Sequence, residues 1–360
     1  MRIAFFGSSL LSAYWNGAAT YYRGLIRALA AHDHEVTFFE PDAFDRQAHR
    51  DIDPPPWACS VVYPADEAGV GRALAQACGA DVLVKASGVG VFDDVLENAV
   101  IERRRPGQLA LFWDVDAPAT LERMQSDEHD PLRRLVPRYD LILTYGGGDP
   151  VIQAYRALGA RACVPVYNAL DPSSHFPVPA EARFAADLSF VGNRLPDREE
   201  RVDEFFFAVA RRLPERAFLI GGSGWEDKDM PENVRPIGHV FTTDHNALNS
   251  SALAVLNVNR ASMARFGHSP PTRLFEAVGA DACLITDAWP GIERFLEPGR
   301  EVLTAEDGRE VAERLRHLSR REAKLIGEAG RARLLSEHTY AHRAAEVDRL
   351  LEGRDRGQAA

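Results

Sequence analysis

A chain of 360 residues exceeds what one hydrophobic core normally organises, so two domains are expected. Its 46% hydrophobic and 26% charged residues are ordinary for a globular protein and exclude disorder over most of the length. The formal net charge of −11 argues against a nucleic-acid partner, whose phosphates call for clustered Lys and Arg, but leaves room for a small anion bound at a helix N-terminus.

The N-terminus runs straight into a strand-like segment. Its apolar run is too short for a signal peptide, and no stretch approaches the roughly 20 apolar residues that span a bilayer, so a cytoplasmic protein is expected. Residues 3–6 form a strand closed by Gly7, and a helix follows over about residues 20–31, where Tyr22, Leu25, Ile26 and Leu29 make one apolar stripe. Further strands are expected at residues 35–39, 80–84, 108–113 and 139–144, the last ended by Gly146, Gly147 and Gly148. Strands alternating with helices imply a parallel, doubly wound sheet. Between residues 168 and 179 three prolines and no apolar periodicity read as a linker. The pattern then restarts, with strands at residues 188–191, 217–220, 253–258 and 282–286, and residues 308–351 read as helical.

The expected fold is therefore α/β, with two Rossmann-like domains facing across a cleft. The boundaries are 1–170 for the N-terminal domain, 171–182 for the linker, 183–345 for the C-terminal domain, and 346–360 for a tail. Scattered Cys59, Cys78, Cys163 and Cys283 form no CxxC pair, so neither a disulfide framework nor a structural zinc site is expected.

In such folds ligands sit beyond the carboxyl ends of the strands. The loop from Gly7 through Trp15, Asn16 and Gly17 lacks the spacing of a dinucleotide fingerprint or a P-loop; it is either an ordinary connection or a cleft loop. Gly221, Gly222, Ser223 and Gly224 directly follow a strand, suiting either a surface turn or close backbone approach to a phosphate. In His268-Ser269-Pro270-Pro271-Thr272-Arg273-Leu274-Phe275-Glu276, the Ser, Thr and Pro residues are helix-start residues, and Arg273 and Glu276 lie three apart on one face. An arginine at a helix start suits a diphosphate, and a carboxylate can accept two ribose hydroxyls; the competing reading is a surface ion pair. Asp114 and Asp116 follow a buried strand and are the candidate catalytic carboxylates, although Asp116 also suits a helix N-cap and Asp-x-Asp spacing suits a divalent metal. Phe205, Phe206 and Phe207 read as core. Asn257 and Asn259 suit hydrogen bonds at a strand end, while His239 and His245 have no ligand spacing and no assigned role.

Arg273-Leu-Phe-Glu276-Ala-Val-Gly-Ala before an apolar strand resembles the donor-binding segment of GT-B glycosyltransferases. The passage Asn168-Ala-Leu-Asp171-Pro-Ser-Ser-His175, the segment Asp187-Leu-Ser-Phe-Val-Gly192-Asn193-Arg194 with Arg198 and Arg201, and Phe112-Trp-Asp114-Val-Asp116-Ala-Pro118 resemble the spore-maturation CgeB-like branch. The resemblance implies transfer of a sugar from a UDP-, GDP- or dTDP-sugar to an acceptor, with no metal and no further cofactor. Glu276 would hold the ribose, Arg273 or Arg194 the diphosphate, and Thr272, His268, Asn193, Gly222 and Ser223 would line the donor. His268 and Ser269 stand where related GT-B branches often carry a second glutamate. Rival readings are a sugar-nucleotide epimerase on the same fold and a non-catalytic two-lobed binding protein.

Overall fold

The computed structural model describes residues 1–358 except Trp15 and Val89, and the side chains of these residues except Ala261, Ser262, Arg265 and residues 354–358. Trp15, a cleft-loop candidate, thus lies outside the described residues. The chain forms two compact units, residues 1–168 with 340–360, and residues 169–339.

The first unit runs β1 (Arg2–Phe6), α1 (Ala19–Ala31), β2 (Glu35–Asp42), β3 (Cys59–Pro64), α2 (Glu67–Ala77), β4 (Val82–Ala86), α3 (Asp93–Glu102), β5 (Leu109–Asp114), α4 (Ala117–Ser126), α5 (Pro131–Leu135), β6 (Leu141–Thr144), α6 (Gly148–Ala157) and β7 (Cys163–Pro165). Its seven strands pair in the order β3-β2-β1-β4-β5-β6-β7, all parallel. Successive side chains alternate between faces, as a strand requires. Ala4, Phe6, Leu83, Ala110 and Phe112 join the core with α2, α3, α4 and α6. Phe5 turns to the opposite face, where it stacks on Phe38 at 5.3 Å and meets Tyr22 of α1 edge-on at 5.4 Å.

The second unit runs β8 (Ala186–Val191), α7 (Pro196–Val202), a π-helical turn (Asp203–Phe207), α8 (Ala208–Arg212), β9 (Phe218–Gly221), β10 (Val234–Pro236), α9 (His245–Ser251), β11 (Ala252–Asn257), α10 (Ala261–Phe266), α11 (Thr272–Gly279), β12 (Leu284–Asp287), β13 (Leu303–Ala305), α12 (Gly308–His317) and α13 (Arg320–Glu337). Its six strands are also parallel, in the order β10-β9-β8-β11-β12-β13. Phe205, Phe206 and Phe207 are buried in this unit's core, as the sequence suggests.

Two boundaries differ from the sequence reading. Residues 171–182 are not a free linker: the Val178 and Glu181 amides donate to the Ser250 and Ser251 hydroxyls of α9, which fastens this passage to the second unit. The expected tail, residues 346–360, is not a separate segment: up to Gln358 it belongs to α14 (Tyr340–Gln358), which returns to the first unit and lies along α1. The Tyr340 hydroxyl donates to Asn168 Oδ1 at 2.6 Å, and Asp348 meets both His32 and His34. Gly24 of α1 makes room for this helix, since a Cβ there would lie 2.1 Å from the Tyr340 ring.

Candidate active site

Both sheets reverse strand order beside their first strand, between β1 and β4 and between β8 and β11. Ligands of open parallel sheets bind at the carboxyl ends of the strands flanking such a switch point.

In the first unit this edge is densely cross-linked. Glu40, fully buried at the end of β2, accepts from the Leu10 and Leu11 amides, the Ser9 hydroxyl and the Gln47 amide, so the loop after β1 is wound around one carboxylate. Asn16 serves the same loop: its side-chain amide donates to the Ser9 and Ser12 carbonyls and its Oδ1 accepts from Ser8. Gly7 is required by packing, because a Cβ would sit 2.5 Å from the Phe38 ring, while Gly17 faces open space. Asn16 and Gly7 thus have structural work within this loop.

Asp114 is held inside the fold as well. It is fully buried at the end of β5, and its Oδ1 accepts from Ser87 Oγ at 2.6 Å, Thr120 Oγ1 at 3.0 Å and the Asp116 amide at 3.1 Å. Oδ2 accepts from the Tyr155 hydroxyl at 2.5 Å. Burial raises its pKa, opposed by these hydrogen bonds. With both oxygens occupied by neutral donors and no exposure, Asp114 ties β4, α4 and α6 together and is not placed to receive a substrate proton. Asp116 is exposed two residues later. It occupies the N-cap position of α4, yet its side chain makes no capping hydrogen bond. Of the two aspartates, Asp116 alone reaches solvent at this edge.

The second unit is different. Arg273 of α11 reaches back 82 residues to donate from Nη2 to the Val191 carbonyl at the end of β8, at 3.5 Å, and its Nη1 lies 3.3 Å from Glu276 Oε2. Helix α11 starts at Thr272 with Pro271 as N-cap and no capping side chain; the expected Ser or Thr cap does not form, and Ser269 is buried upstream. Glu276 is 9% exposed. Burial pushes its carboxyl up, but the nearby Arg273, His175 and His245 outweigh this and hold it below the usual range. His245 itself is pushed down to about 4 by burial and then by Arg273, so it is neutral near pH 7. The Nδ1 atoms of His175, His245 and His268 are buried without a hydrogen-bond partner. His268 adopts a left-handed φ of 48° and packs on Gly291, where a Cβ would lie 2.2 Å from its Nδ1.

Arg198 of α7 completes the cluster. Its Nη2 donates to the Asn193 carbonyl at 2.6 Å, its guanidinium lies over the Phe190 ring, and its Nε has no partner. Burial lowers its pKa against the pull of Asp197, with Arg273 and Arg260 adding repulsion. Among the described residues no carboxylate forms an ion pair with it. Arg194, by contrast, is bound by Glu199 and Asp227, both at 2.7 Å. The Gly222 loop abuts the loop after β8: the Ser223 amide donates to Asn193 Oδ1 at 3.0 Å, and a Cβ at Gly222, where φ is 119°, would lie 2.3 Å from the Gly192 carbonyl oxygen. Gly222 is thus needed for loop contact, while Ser223 and Asn193 are exposed at the edge. Asn257 bonds Thr286, and Arg201 joins the Asn259 carbonyl to buried Asp287, closing the adjoining strand ends.

Sequence reasoning left Arg198 out of the ligand set and gave His245 no role. Position three of a proline-started helix after a glycine-ended strand was a signal for Arg198. For His245 no local signal exists, because its place beside Glu276 comes from packing of α9 on α11.

Residues 198–349 match the family model described as glycosyl transferase-like. No match was found among curated protein sequences. Among solved structures the chain is similar to sucrose-phosphate synthase from Thermosynechococcus elongatus (15% identity, TM-score 0.71, 98% of each chain covered). It is similar to Anabaena HepE in complex with UDP and glucose (14% identity, TM-score 0.69, 98% of this chain and 100% of that one). It is also similar to an alpha-glucosyltransferase in complex with UDP and a 13-mer DNA (12% identity, TM-score 0.70, 98% and 99%). The chain has the GT-B glycosyltransferase fold, and the segment that matches the glycosyl transferase-like model contains Arg198, His245, Arg273 and Glu276.

Proposed function

We propose that the chain is a metal-independent glycosyltransferase that moves a sugar from a nucleoside diphosphate sugar to an acceptor hydroxyl. The observation that carries this reading is the cluster at the carboxyl edge of β8: Arg198, with no ion pair among the described residues, near Arg273 and its buried, ionised partner Glu276. Two guanidinium groups and the start of α11 favour a diphosphate, and they would stabilise it as it leaves. Glu276, ionised despite burial, can accept hydrogen bonds from both ribose hydroxyls. Thr272, His268, Ser223 and Asn193 offer polar groups at the same edge. Arg194 and Gly222 act through loop structure.

In the first unit Asp116 is the proposed general base for the acceptor hydroxyl. Asp114 fixes the turn that presents it. The nucleotide is UDP, GDP or dTDP, and the UDP-bound relatives make UDP the first to test. Resemblance of residues 109–286 supports the CgeB-like branch. No helix among the described residues is long and apolar enough to cross a membrane, and we take the protein to act in the cytoplasm.

The deciding experiment is titration calorimetry of UDP against the wild type and Glu276→Ala. Loss of a charged acceptor for two hydroxyls should weaken UDP by about 10- to 100-fold. Unchanged affinity for UDP, GDP and dTDP alike would remove Glu276 from the donor site. Activity that disappears in EDTA and returns with Mn²⁺ would overturn metal independence.

A further inference from the structure

The opposite, amino-terminal end of the second sheet holds a separate pocket of 280 Å³. It is formed where α9 ends and β11 begins, where the turn after α11 leads into β12, and where the first turns of α13 pass over both. Ala252 and Leu253 open β11 at this pocket, whereas Asn257 ends the same strand beside the donor edge. Five residue steps at about 3.3 Å put the two ends roughly 17 Å apart.

Asn249 of α9 lines this pocket, 1% exposed, and neither its Oδ1 nor its Nδ2 has a hydrogen-bond partner. A buried carboxamide with both ends unmade is costly, because each group has lost its water and gained no partner. Its neighbours in the sequence are satisfied: Ser250 Oγ donates to the Ala280 carbonyl and accepts from the Val178 amide, and Ser251 Oγ donates to the Ala247 carbonyl. Among these three polar side chains of α9 the unmade bonds are confined to Asn249. Apolar walls come from Val178, Leu253 and Ala323, and the charged lining is Arg320 and Lys324 with the carboxylate of Asp281; Lys324 also pairs with Glu328 at 3.6 Å.

We infer that this pocket binds a small anion bearing a cis-amide edge. A carboxamide offers an acceptor and a donor side by side, so its best complement presents a donor and an acceptor in the same plane: a lactam, an imide or a primary amide. Lys324 and Arg320, one helical turn apart on α13, suit a carboxylate or phosphate at the other end of the molecule. The volume limits the occupant to small metabolite size, well below a nucleotide sugar. The site shares no residue with the Arg198–Arg273–Glu276 cluster and stands whether or not the proposed transferase activity holds.

The test uses the full chain and pyroglutamate as probe, a lactam with a carboxylate. Cyclopentanecarboxylate, with the same ring size and charge but no amide edge, is the control. Saturation-transfer NMR and calorimetry should register millimolar binding of pyroglutamate, with the control weaker by about tenfold, the equivalent of one good hydrogen-bonded pair. Asn249→Leu, checked for folding by its thermal transition, should abolish the difference between the two compounds. Lys324→Ala, on the exposed face, should weaken both by a few-fold and leave UDP affinity unchanged. Absence of pyroglutamate binding, equal binding of the two compounds by the wild type, or unchanged pyroglutamate binding by Asn249→Leu would each overturn the inference. So would a crystal structure grown with pyroglutamate in which only waters meet the Asn249 carboxamide.

Discussion

Asp114 and Glu276 are both buried carboxylates at switch points of parallel sheets, yet their surroundings push them in opposite directions. Asp114 is held by three side-chain donors and one backbone amide, all neutral, and burial raises its pKa. Glu276 has a guanidinium at 3.3 Å and two imidazoles nearby, and its carboxyl is held low. The first carboxylate has spent its bonding capacity on its own fold. The second stays charged with capacity to spare, paired among the described residues with Arg273 alone. Saturation, more than burial, separates a framework carboxylate from a ligand-binding one.

The comparison can be broken at several points. The largest effect is expected at Asp116: Asp116→Ala should lower kcat by about 10²- to 10⁴-fold with UDP affinity and melting temperature unchanged, as for loss of a general base. A preserved kcat would remove the base from this edge. Next, Asp114→Ala strands the donors of Ser87, Thr120 and Tyr155 and should cost about 3–5 kcal/mol of stability in denaturant titration, while UDP binding by the folded protein stays intact. Weakened UDP binding with normal stability would reverse the roles assigned to the two carboxylates. Arg198→Ala should weaken UDP by about 10- to 100-fold, and the loss should shrink as salt rises. Arg194→Ala, already ion-paired in the protein, should weaken UDP less.

A smaller effect sharpens the contrast in a different place. Glu97 of α3 is 3% exposed, and burial pushes its carboxyl up to about 7, with Lys85 and Arg123 only partly opposing it. Unfolded, the group titrates near 4.5, so its protonated form favours the native state. That contribution is full below about pH 4.5 and is lost as pH rises through about 7. Glu97→Gln should therefore gain about 1–3 kcal/mol over the wild type at pH 8 and little at pH 4, measured by urea unfolding at both pH values. Equal differences at both would show that Glu97 is ionised in the native state.

The central strands were legible because both faces of a parallel sheet are covered, which demands continuous apolar runs such as residues 3–6 and 253–258. The four strands the sequence hid are the four sheet edges. β3, β7 and β10 are half exposed, and β7, β10 and β13 have only three residues each, so no long run marks them. In the site, Arg273 and Glu276 were legible because one helical turn links them. The surroundings of Asp114 were not legible, because the hydroxyls that saturate it come from Ser87, Thr120 and Tyr155, none of them on its own strand.

The sequence by itself determined the α/β class, the restart after residue 179 and the Arg273–Glu276 face of α11, all consequences of short-range periodicity and spacing. Only the tertiary structure decided which charges remain unneutralised. It set Arg273 on the end of β8, brought His245 to Glu276, and returned α14 to the first unit. A charge acquires its pKa and its availability from groups within a few ångströms, and those groups are far away in the chain.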